Sequence, residues 1–316
     1  MILTVTPNPS VDRTLEISAL ERGEVLRARV ARADPGGKGV NVSRALCGAG
    51  VETTAILPVG GTEGAQLTAL LTERQVPAVA VPISGSTRSN ITVTEADGTT
   101  TKLNVTGPTL SEEETAALLA AVDAELARGP RWLVAAGSLP SGAHSDFYVR
   151  LAERAAAHGV PIALDTSEAP LESAAKHGTL SLLKPNHEEL SDLLGRPLPT
   201  LGDVVTGARE VLNWGNEAAL VTLGGHGALL VLKDQCWLAK GPSVVPRSTV
   251  GAGDCSLAGY LSAVDAAPED RLRNAVAWGT AAVALPGTTV PTASEVDPGA
   301  VQVSTDPDPD LVVREL

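Results

Sequence analysis

Aromatic side chains are nearly absent from this chain: one Phe, two Tyr and four Trp make up 2% of 316 residues. An interior without rings must be filled by Ala, Val and Leu, and 43% of the chain is hydrophobic. That filling suits a parallel sheet covered by helices, whose strands are buried on both faces. Cations are scarce too, with 24 Lys and Arg against 37 Asp and Glu and a formal net charge of −13. The deficit argues against nucleic acid as a general partner, so any bound phosphate must be met by cations gathered locally. Cys47, Cys236 and Cys255 are an odd, scattered set without a C-x-x-C pair. Such usage suits a reducing cytosol better than a disulfide framework or a zinc site. No apolar run reaches membrane-spanning length. The segment from Met1 to Pro7 lacks the basic region and long apolar core of a signal peptide. These absences predict a soluble cytoplasmic protein with no membrane partner.

What the chain does have is short β-branched runs alternating with Ala- and Leu-rich stretches. Ile2–Thr6, Thr53–Val59, Trp132–Ala136, Pro161–Leu164, Ser181–Leu183, Ala219–Leu223 and Ala228–Leu232 read as strands. Helices are predicted near Lys38–Cys47, Ala65–Arg74, Glu112–Arg128, Asp146–His158 and Val204–Asn213. The alternation implies right-handed crossovers, hence an α/β fold with a mainly parallel sheet and helices on both faces. Ligands bind such sheets beyond the carboxyl ends of the strands. The length allows one large domain or two smaller ones.

Two stretches break the rhythm. Residues 11–33 are polar and alternating, and residues 86–106 contain a hairpin, Ile91–Val105, turning at Asp97-Gly98. Together they could form a small sheet standing apart as a lid; two edge hairpins without a role are the plain alternative. The tail from Asp297, with Asp306-Pro307-Asp308-Pro309-Asp310, reads as a surface appendage.

Four glycine-rich or polar motifs could carry chemistry. In the first, Thr249-Val250-Gly251-Ala252-Gly253-Asp254 follows a strand-like Ser243-Val244-Val245-Pro246 and opens an apolar helix at Ser256–Leu261. Small residues let backbone approach a ligand, and a helix N-terminus offers free N–H groups to an anion. Asp254 is badly placed to meet a phosphate but well placed to take a proton from a hydroxyl attacking one. An ordinary capping Asp is the competing reading. The dinucleotide fingerprint fails, because Ser256 stands where its third glycine belongs.

The second motif, Asp34-Pro35-Gly36-Gly37-Lys38-Gly39-Val40-Asn41, is not a Walker A loop, since neither Ser nor Thr follows the lysine. It can still cradle an anion, or be a tight turn. Upstream, Asn8, Asp12 and Arg13 follow the first strand, where a short carboxylate can accept hydrogen bonds from sugar hydroxyls or simply satisfy a turn. The third, Thr222-Leu223-Gly224-Gly225-His226-Gly227-Ala228, lies between two strands and could lie against a nucleotide or be a bare hairpin turn. In the fourth, Lys184-Pro185-Asn186-His187-Glu188-Glu189-Leu190, Asn186 and Glu189 share a helix face. They could hold Mg²⁺ through water, or close a helix cap. Ser191 in place of His excludes a zinc-protease motif.

With these motifs in this order, the chain resembles the ribokinase/PfkB carbohydrate kinase family over nearly its whole length. Within it the likeness is to the 1-phosphofructokinase and tagatose-6-phosphate kinase branch. Thr4–Thr14, Pro35–Ala45, Thr87–Ile91, Gly137–Gly142, Lys184-Pro185-Asn186 with Glu189, Thr222–Gly227 and Gly251–Asp254 carry it. Departures are few: Cys255 follows the acid where Ser or Thr is usual, and Pro7 stands where Leu is usual.

The resemblance implies one ribokinase-like kinase domain over 1–316, with a β-sheet lid from 11–33 and 86–106 that often mediates dimerisation. It implies ATP and Mg²⁺, with Asp254 as catalytic base and the amides of Gly251, Ala252 and Gly253 as anion hole. By the same likeness Asp12 holds sugar hydroxyls, and Gly37, Lys38, Asn41, Arg88 and Ser138 contact a sugar phosphate. Lys184, Asn186, Glu189, Thr222, Gly224, Gly225, Gly227 and Ser248 line the nucleotide and Mg²⁺ side. Arg27 is the candidate for a basic residue passed across the lid interface. The expected reaction takes fructose 1-phosphate to fructose 1,6-bisphosphate, with tagatose-6-phosphate or fructose-6-phosphate as the alternative acceptor. A non-catalytic sugar-phosphate or nucleotide sensor is the reading from another class. The intact Asp254 and its glycines argue against it.

Overall fold

The computed structural model describes residues 1–313. The chain opens with β1 (Ile2–Val5), β2 (Ser10–Glu16), β3 (Val30–Gly36), α1 (Lys38–Gly48), β4 (Thr53–Val59) and α2 (Gly61–Glu73). Then come β5 (Ala78–Pro82), β6 (Arg88–Thr94), β7 (Thr100–Leu103), α3 (Glu112–Leu126), β8 (Trp132–Ala136) and α4 (Phe147–Ala157). β9 (Ile162–Asp165), α5 (Glu168–His177), β10 (Leu182–Leu183), α6 (His187–Leu194), α7 (Leu201–Asn213) and β11 (Ala219–Thr222) follow. The last elements are β12 (Ala228–Val231), β13 (Cys236–Lys240), α8 (Ala252–Ser262), α9 (Pro268–Val283) and β14 (Gln302–Thr305).

Ten strands form one sheet in the order β14-β13-β12-β11-β10-β9-β8-β1-β4-β5. From β5 to β11 every neighbouring pair is parallel, and β12, β13 and β14 are added antiparallel at one edge. β1 lies between β4 and β8, and the chain leaves it in opposite directions on its two sides. That reversal of order opens a crevice beyond the carboxyl ends of β1 and β8, where doubly wound sheets bind ligands.

The two faces of β1 show how composition becomes layers. Leu3 and Val5 join a core with Leu118, Leu151, Leu171 and Val211, so α3, α4, α5 and α7 cover one face. Ile2 packs on the other with Val42, Leu257 and Val276, from α1, α8 and α9. Burying such a side chain contributes about 1.5–3 kcal/mol, so aliphatic residues suffice where rings are missing. Three helix starts are fixed by reciprocal capping boxes: Ser111 with Glu114, Asn186 with Glu189, and Thr200 with Asp203.

Four further strands form a separate sheet in the order β3-β2-β6-β7. β2 pairs in parallel with β6, matching Ser10 to Arg88 and Asp12 to Asn90. The hairpin β6–β7 turns at Asp97-Gly98 as expected, Gly98 having φ 92°. β3 differs from expectation: Asp34-Pro35-Gly36 extends as strand before Gly37 turns, so the glycine motif is half strand and half turn. Val11 on β2 packs with Val40, Leu57 and Leu67, which fastens this sheet to α1, β4 and α2.

Two other expectations are corrected. Ser243–Pro246 is not a strand; between Pro242 and Pro246 the backbone is irregular and Val245 is 84% exposed. The tail is not an appendage, because β14 pairs with β13, Val301 is buried, and Val312 bridges to Thr200. Its acidic residues Asp306, Asp308 and Asp310 follow that edge strand, in the turn that leads to the Val312 bridge. The end of that tail, 314–316, lies outside the described residues. No helix among the described residues is long and apolar enough to cross a membrane.

Candidate active site

Everything at the centre depends on where α8 begins. This helix is buried from Asp254 to Leu261, packed between α1 and α9. A helix apolar all round belongs in the interior. Gly279 lets α9 come close, because a Cβ there would run into Ser256 Oγ. With both flanks fixed, the N-terminus is fixed as well. Gly251 caps it with φ 80°, a left-handed conformation that costs other residues about 1–2 kcal/mol.

Asp254 lies in the first turn of α8 and is 6% exposed. Its Oδ2 accepts a hydrogen bond from Asn41 Nδ2 of α1 at 2.8 Å. A Cβ added to Gly251 would sit 3.8 Å from Asn41 Nδ2 and 3.9 Å from Asp254 Oδ2, so Gly251 covers this pair. Burial, and after it the negative charge of Asp165, push the Asp254 carboxyl up to about 6. Asn41, Lys38 and Lys184 pull the other way and are outweighed. The acid therefore accepts a proton far more readily than a carboxylate in water.

Asp165 went unnoticed in the sequence and proves to be the hub of the charges. It ends β9, is 1% exposed, and pairs through Oδ1 with Lys38 Nζ at 2.7 Å. Through Oδ2 it pairs with Lys184 Nζ at 2.8 Å. Burial works to raise its carboxyl, but the two ammonium groups prevail and hold it below the ordinary range. Burial likewise works to lower Lys38, and Asp165 overcomes it, so the ammonium is held charged. A carboxylate closing an apolar parallel strand, Ile162-Ala163-Leu164-Asp165, was the available signal. Lys184 also lies against α8, since a Cβ on Gly253 would meet its Nζ at 3.2 Å.

On one side of this centre the crevice brings β1, β8 and the small sheet together. Asn8 Nδ2 donates to Ser138 Oγ at 3.3 Å and to Thr106 O at 3.0 Å, spanning the β1–β8 gap. Asp12 Oδ1 accepts from Ser10 Oγ at 2.7 Å and from Asn90 Nδ2 at 2.9 Å. Gly36 is required opposite, because a Cβ would collide with the Asp12 carboxylate. Arg88 donates from Nη2 to Asn8 O at 3.0 Å and from Nη1 to Val105 O at 2.9 Å. Gly37, with φ 116°, precedes α1 and delivers Lys38 to Asp165. Arg27 is exposed in the connection between β2 and β3.

On the other side is a cleft of about 740 Å³. Asn186, Thr222, Gly224, Gly225 and Gly227 line it together with Ala252 and Gly253 from the start of α8. Ser248 and Lys184 are not on its wall: Ser248 Oγ accepts the Val250 N–H at 3.2 Å, and Lys184 lies buried against Asp165. An apolar flank comes from Val244, Val276 and Val283. The last two belong to α9, a helix absent from the sequence reading although Val276, Gly279, Thr280 and Val283 recur at helical spacing.

Asn186 and Glu189 close a capping box, with Glu189 N–H donating to Asn186 Oδ1 at 2.7 Å and Asn186 N–H to Glu189 Oε2 at 2.8 Å. The cap and the metal reading can hold together. Glu189 Oε1 stays outside the cap, 3.9 Å from Lys38 Nζ, on a side chain 19% exposed. That oxygen, uncommitted to the cap and loosely paired with Lys38, suits a cation that keeps most of its water. Among the described residues no group of three or more His, Cys, Asp or Glu could hold a metal.

A buried acid at a glycine-bounded helix start, between a polar crevice and an open cleft, suits phosphoryl transfer at the ligand-binding edge of a doubly wound α/β sheet. The chain belongs to the pfkB family of carbohydrate kinases, whose model matches residues 6–294. It is 34% identical over 268 residues to a 1-phosphofructokinase of Xanthomonas campestris, covering 83% of each chain. It is 36% identical over 292 residues to the ATP-dependent 6-phosphofructokinase isozyme 2 of Escherichia coli, covering 91% of this chain and 94% of that one. The crystal structure of Escherichia coli phosphofructokinase-2 in complex with substrates and products superposes with a TM-score of 0.86 at 34% identity, over 93% of this chain and 96% of that one. The architecture is ribokinase-like.

Proposed function

We propose that this protein transfers the γ-phosphoryl group of ATP to a hydroxyl of a ketohexose monophosphate, converting fructose 1-phosphate to fructose 1,6-bisphosphate. One observation carries the reading. Asp254 is buried at the first turn of α8, its carboxyl raised to about 6, beside the Ala252 and Gly253 backbone that lines the cleft. An acid so placed takes the proton of the attacking hydroxyl, while the first N–H groups of α8 stabilise charge spreading over the phosphoryl oxygens.

Substrate alignment supplies most of the rest. Lys38 uses one donor on Asp165 and has two left for a substrate phosphate. Arg88, Asn41, Gly37 and Ser138 complete that phosphate's surroundings, and Asp12 accepts from sugar hydroxyls. The nucleotide occupies the cleft along Thr222, Gly224, Gly225 and Gly227, with Lys184 and Ser248 behind it. Mg²⁺, held through water from Glu189 and Asn186, supplies charge neutralisation when bound. The single domain carries the small sheet as a lid, and Val25, Val30, Leu103 and Val105, all exposed there, support a homodimer through it.

The 6-phosphate reading is supported by the likeness to the Escherichia coli isozyme, 36% identical over 91% of this chain. Purified protein incubated with MgATP and, separately, fructose 1-phosphate, fructose 6-phosphate and tagatose 6-phosphate decides between them. The expected result is ADP formation fastest with fructose 1-phosphate. Faster turnover of a 6-phosphate replaces that assignment, and no ADP with any of the three overturns the kinase reading in favour of a sensor.

A further inference from the structure

Asp254 does not hold its hydrogen bond alone. Asn41, its partner, is itself gripped from behind. Arg44, one helical turn further along α1, donates from Nη1 to Asn41 Oδ1 at 3.0 Å and to Pro35 O at 3.2 Å. Arg44 is 6% exposed and reaches none of the surfaces at which sugar or nucleotide would bind. A buried guanidinium is costly, and desolvation, the largest influence, lowers its hold on the proton. Asp34 lies near enough to support it electrostatically but is itself engaged by Arg32 and Arg74, each at 2.7 Å. The fold thus spends a buried cation behind the amide that faces Asp254.

The chemistry of the three groups makes the arrangement directional. An amide has a donor end and an acceptor end of nearly equal size, so Asn41 could fit either way round. Guanidinium has donors only. Whatever faces Arg44 must be the amide oxygen, and the NH₂ is then delivered to Asp254. An ionised carboxylate has acceptors only, so it requires that NH₂.

We infer that Arg44 is a positioning residue for the Asp254 base: it fixes the Asn41 amide so that its NH₂ faces the carboxylate. The inference rests on the proposed role of Asp254. Without Arg44 the amide can turn, and an oxygen facing Asp254 favours the protonated acid, which cannot take the hydroxyl's proton. The other charges facing Asp254 are Asp165 at the end of β9, Lys38 on α1 and Lys184 after β10. None of them touches Arg44 through a hydrogen bond or ion pair.

The test is the pH dependence of kcat with saturating MgATP and sugar phosphate, for the natural protein, Arg44→Met, Arg44→Gln and Asp254→Asn. Arg44→Met is expected to move the acidic limb upward by about one pH unit, with kcat recovering to within about threefold at high pH. Arg44→Gln, neutral and still able to donate, is expected to move it upward by about half as much, and it serves where the methionine variant does not fold. In an Asn41→Leu background, neither change at Arg44 is expected to move the limb further. A limb that stays in place in the folded Arg44 variants, while Asp254→Asn lowers kcat by about a hundredfold or more, overturns the positioning role alone. Near-normal turnover by Asp254→Asn overturns the base assignment, and the positioning role with it.

Discussion

Asp254→Asn is expected to make the protein more stable at neutral pH, and the gain has a definite pH dependence. The ordinary carboxyl value is 3.8, and in the folded protein it rises to about 6. A group raised on folding contributes its full stability below the lower value and loses it as pH climbs through the higher one. At about 1.4 kcal/mol per tenfold, the complete cost of holding Asp254 ionised comes to about 3 kcal/mol above pH 7. Asparagine has the same shape, keeps an acceptor for Asn41 Nδ2, and does not titrate. Its advantage over the natural residue therefore grows with pH.

Between pH 5 and pH 8 the two titrations predict growth of about 1.4 kcal/mol, the remainder falling below pH 5. For a chain of 316 residues that corresponds to about 2 °C in Tm. Urea unfolding of both proteins at pH 5, 6, 7 and 8 measures it directly, because titrating groups that do not interact with Asp254 cancel in the difference. A difference flat with pH, or one shrinking as pH rises, refutes the reasoning. It would mean that the acid sits in the fold without strain, and burial would no longer account for its basicity.

The same variant is expected to lose about 10²–10⁴ in kcat in coupled ADP assays while binding sugar phosphate largely as before, since geometry survives and only the base is lost. Arg88→Ala should mainly raise KM for the phosphorylated sugar; an unchanged KM assigns that phosphate to another cation. Asp165→Asn removes the negative charge that, after burial, raises Asp254, so the acidic limb of kcat should move below about pH 6. The same change leaves Lys38 and Lys184 without their carboxylate and should cost about 3–5 kcal/mol in denaturant unfolding.

Most of this architecture was legible because its signals are local. Thr53–Val59 and Trp132–Ala136 appear as strands with their expected bounds, since buried parallel strands read as unbroken apolar runs. Thr222, Gly224 and Gly227 were recognisable because they surround a turn at the end of such a strand. β13, Cys236–Lys240, escaped although four of its residues are apolar and buried, because the run is short; at the edge strand β14 the acidic residues of the tail outweighed its buried Val301 and Val313. Ser243–Pro246 misled in the opposite direction, its two valines being β-formers in a segment that pairs with nothing.

The site was less legible than the fold for a related reason. Gly251 to Asp254 announce themselves because a left-handed glycine beside an acid is a backbone requirement written in adjacent letters. Asp165 does not, because its partner Lys38 is 127 positions away; Arg44 touches only its near neighbours Asn41 and Pro35, and its meaning comes through the bond from Asn41 to Asp254, 213 positions on. A sequence read alone sees Lys38 and Lys184 as two free cations waiting for phosphate. The fold gives both to one buried carboxylate, and that shared partner lets two ammonium groups stand beside Asp254 while leaving its carboxyl basic enough to accept a proton.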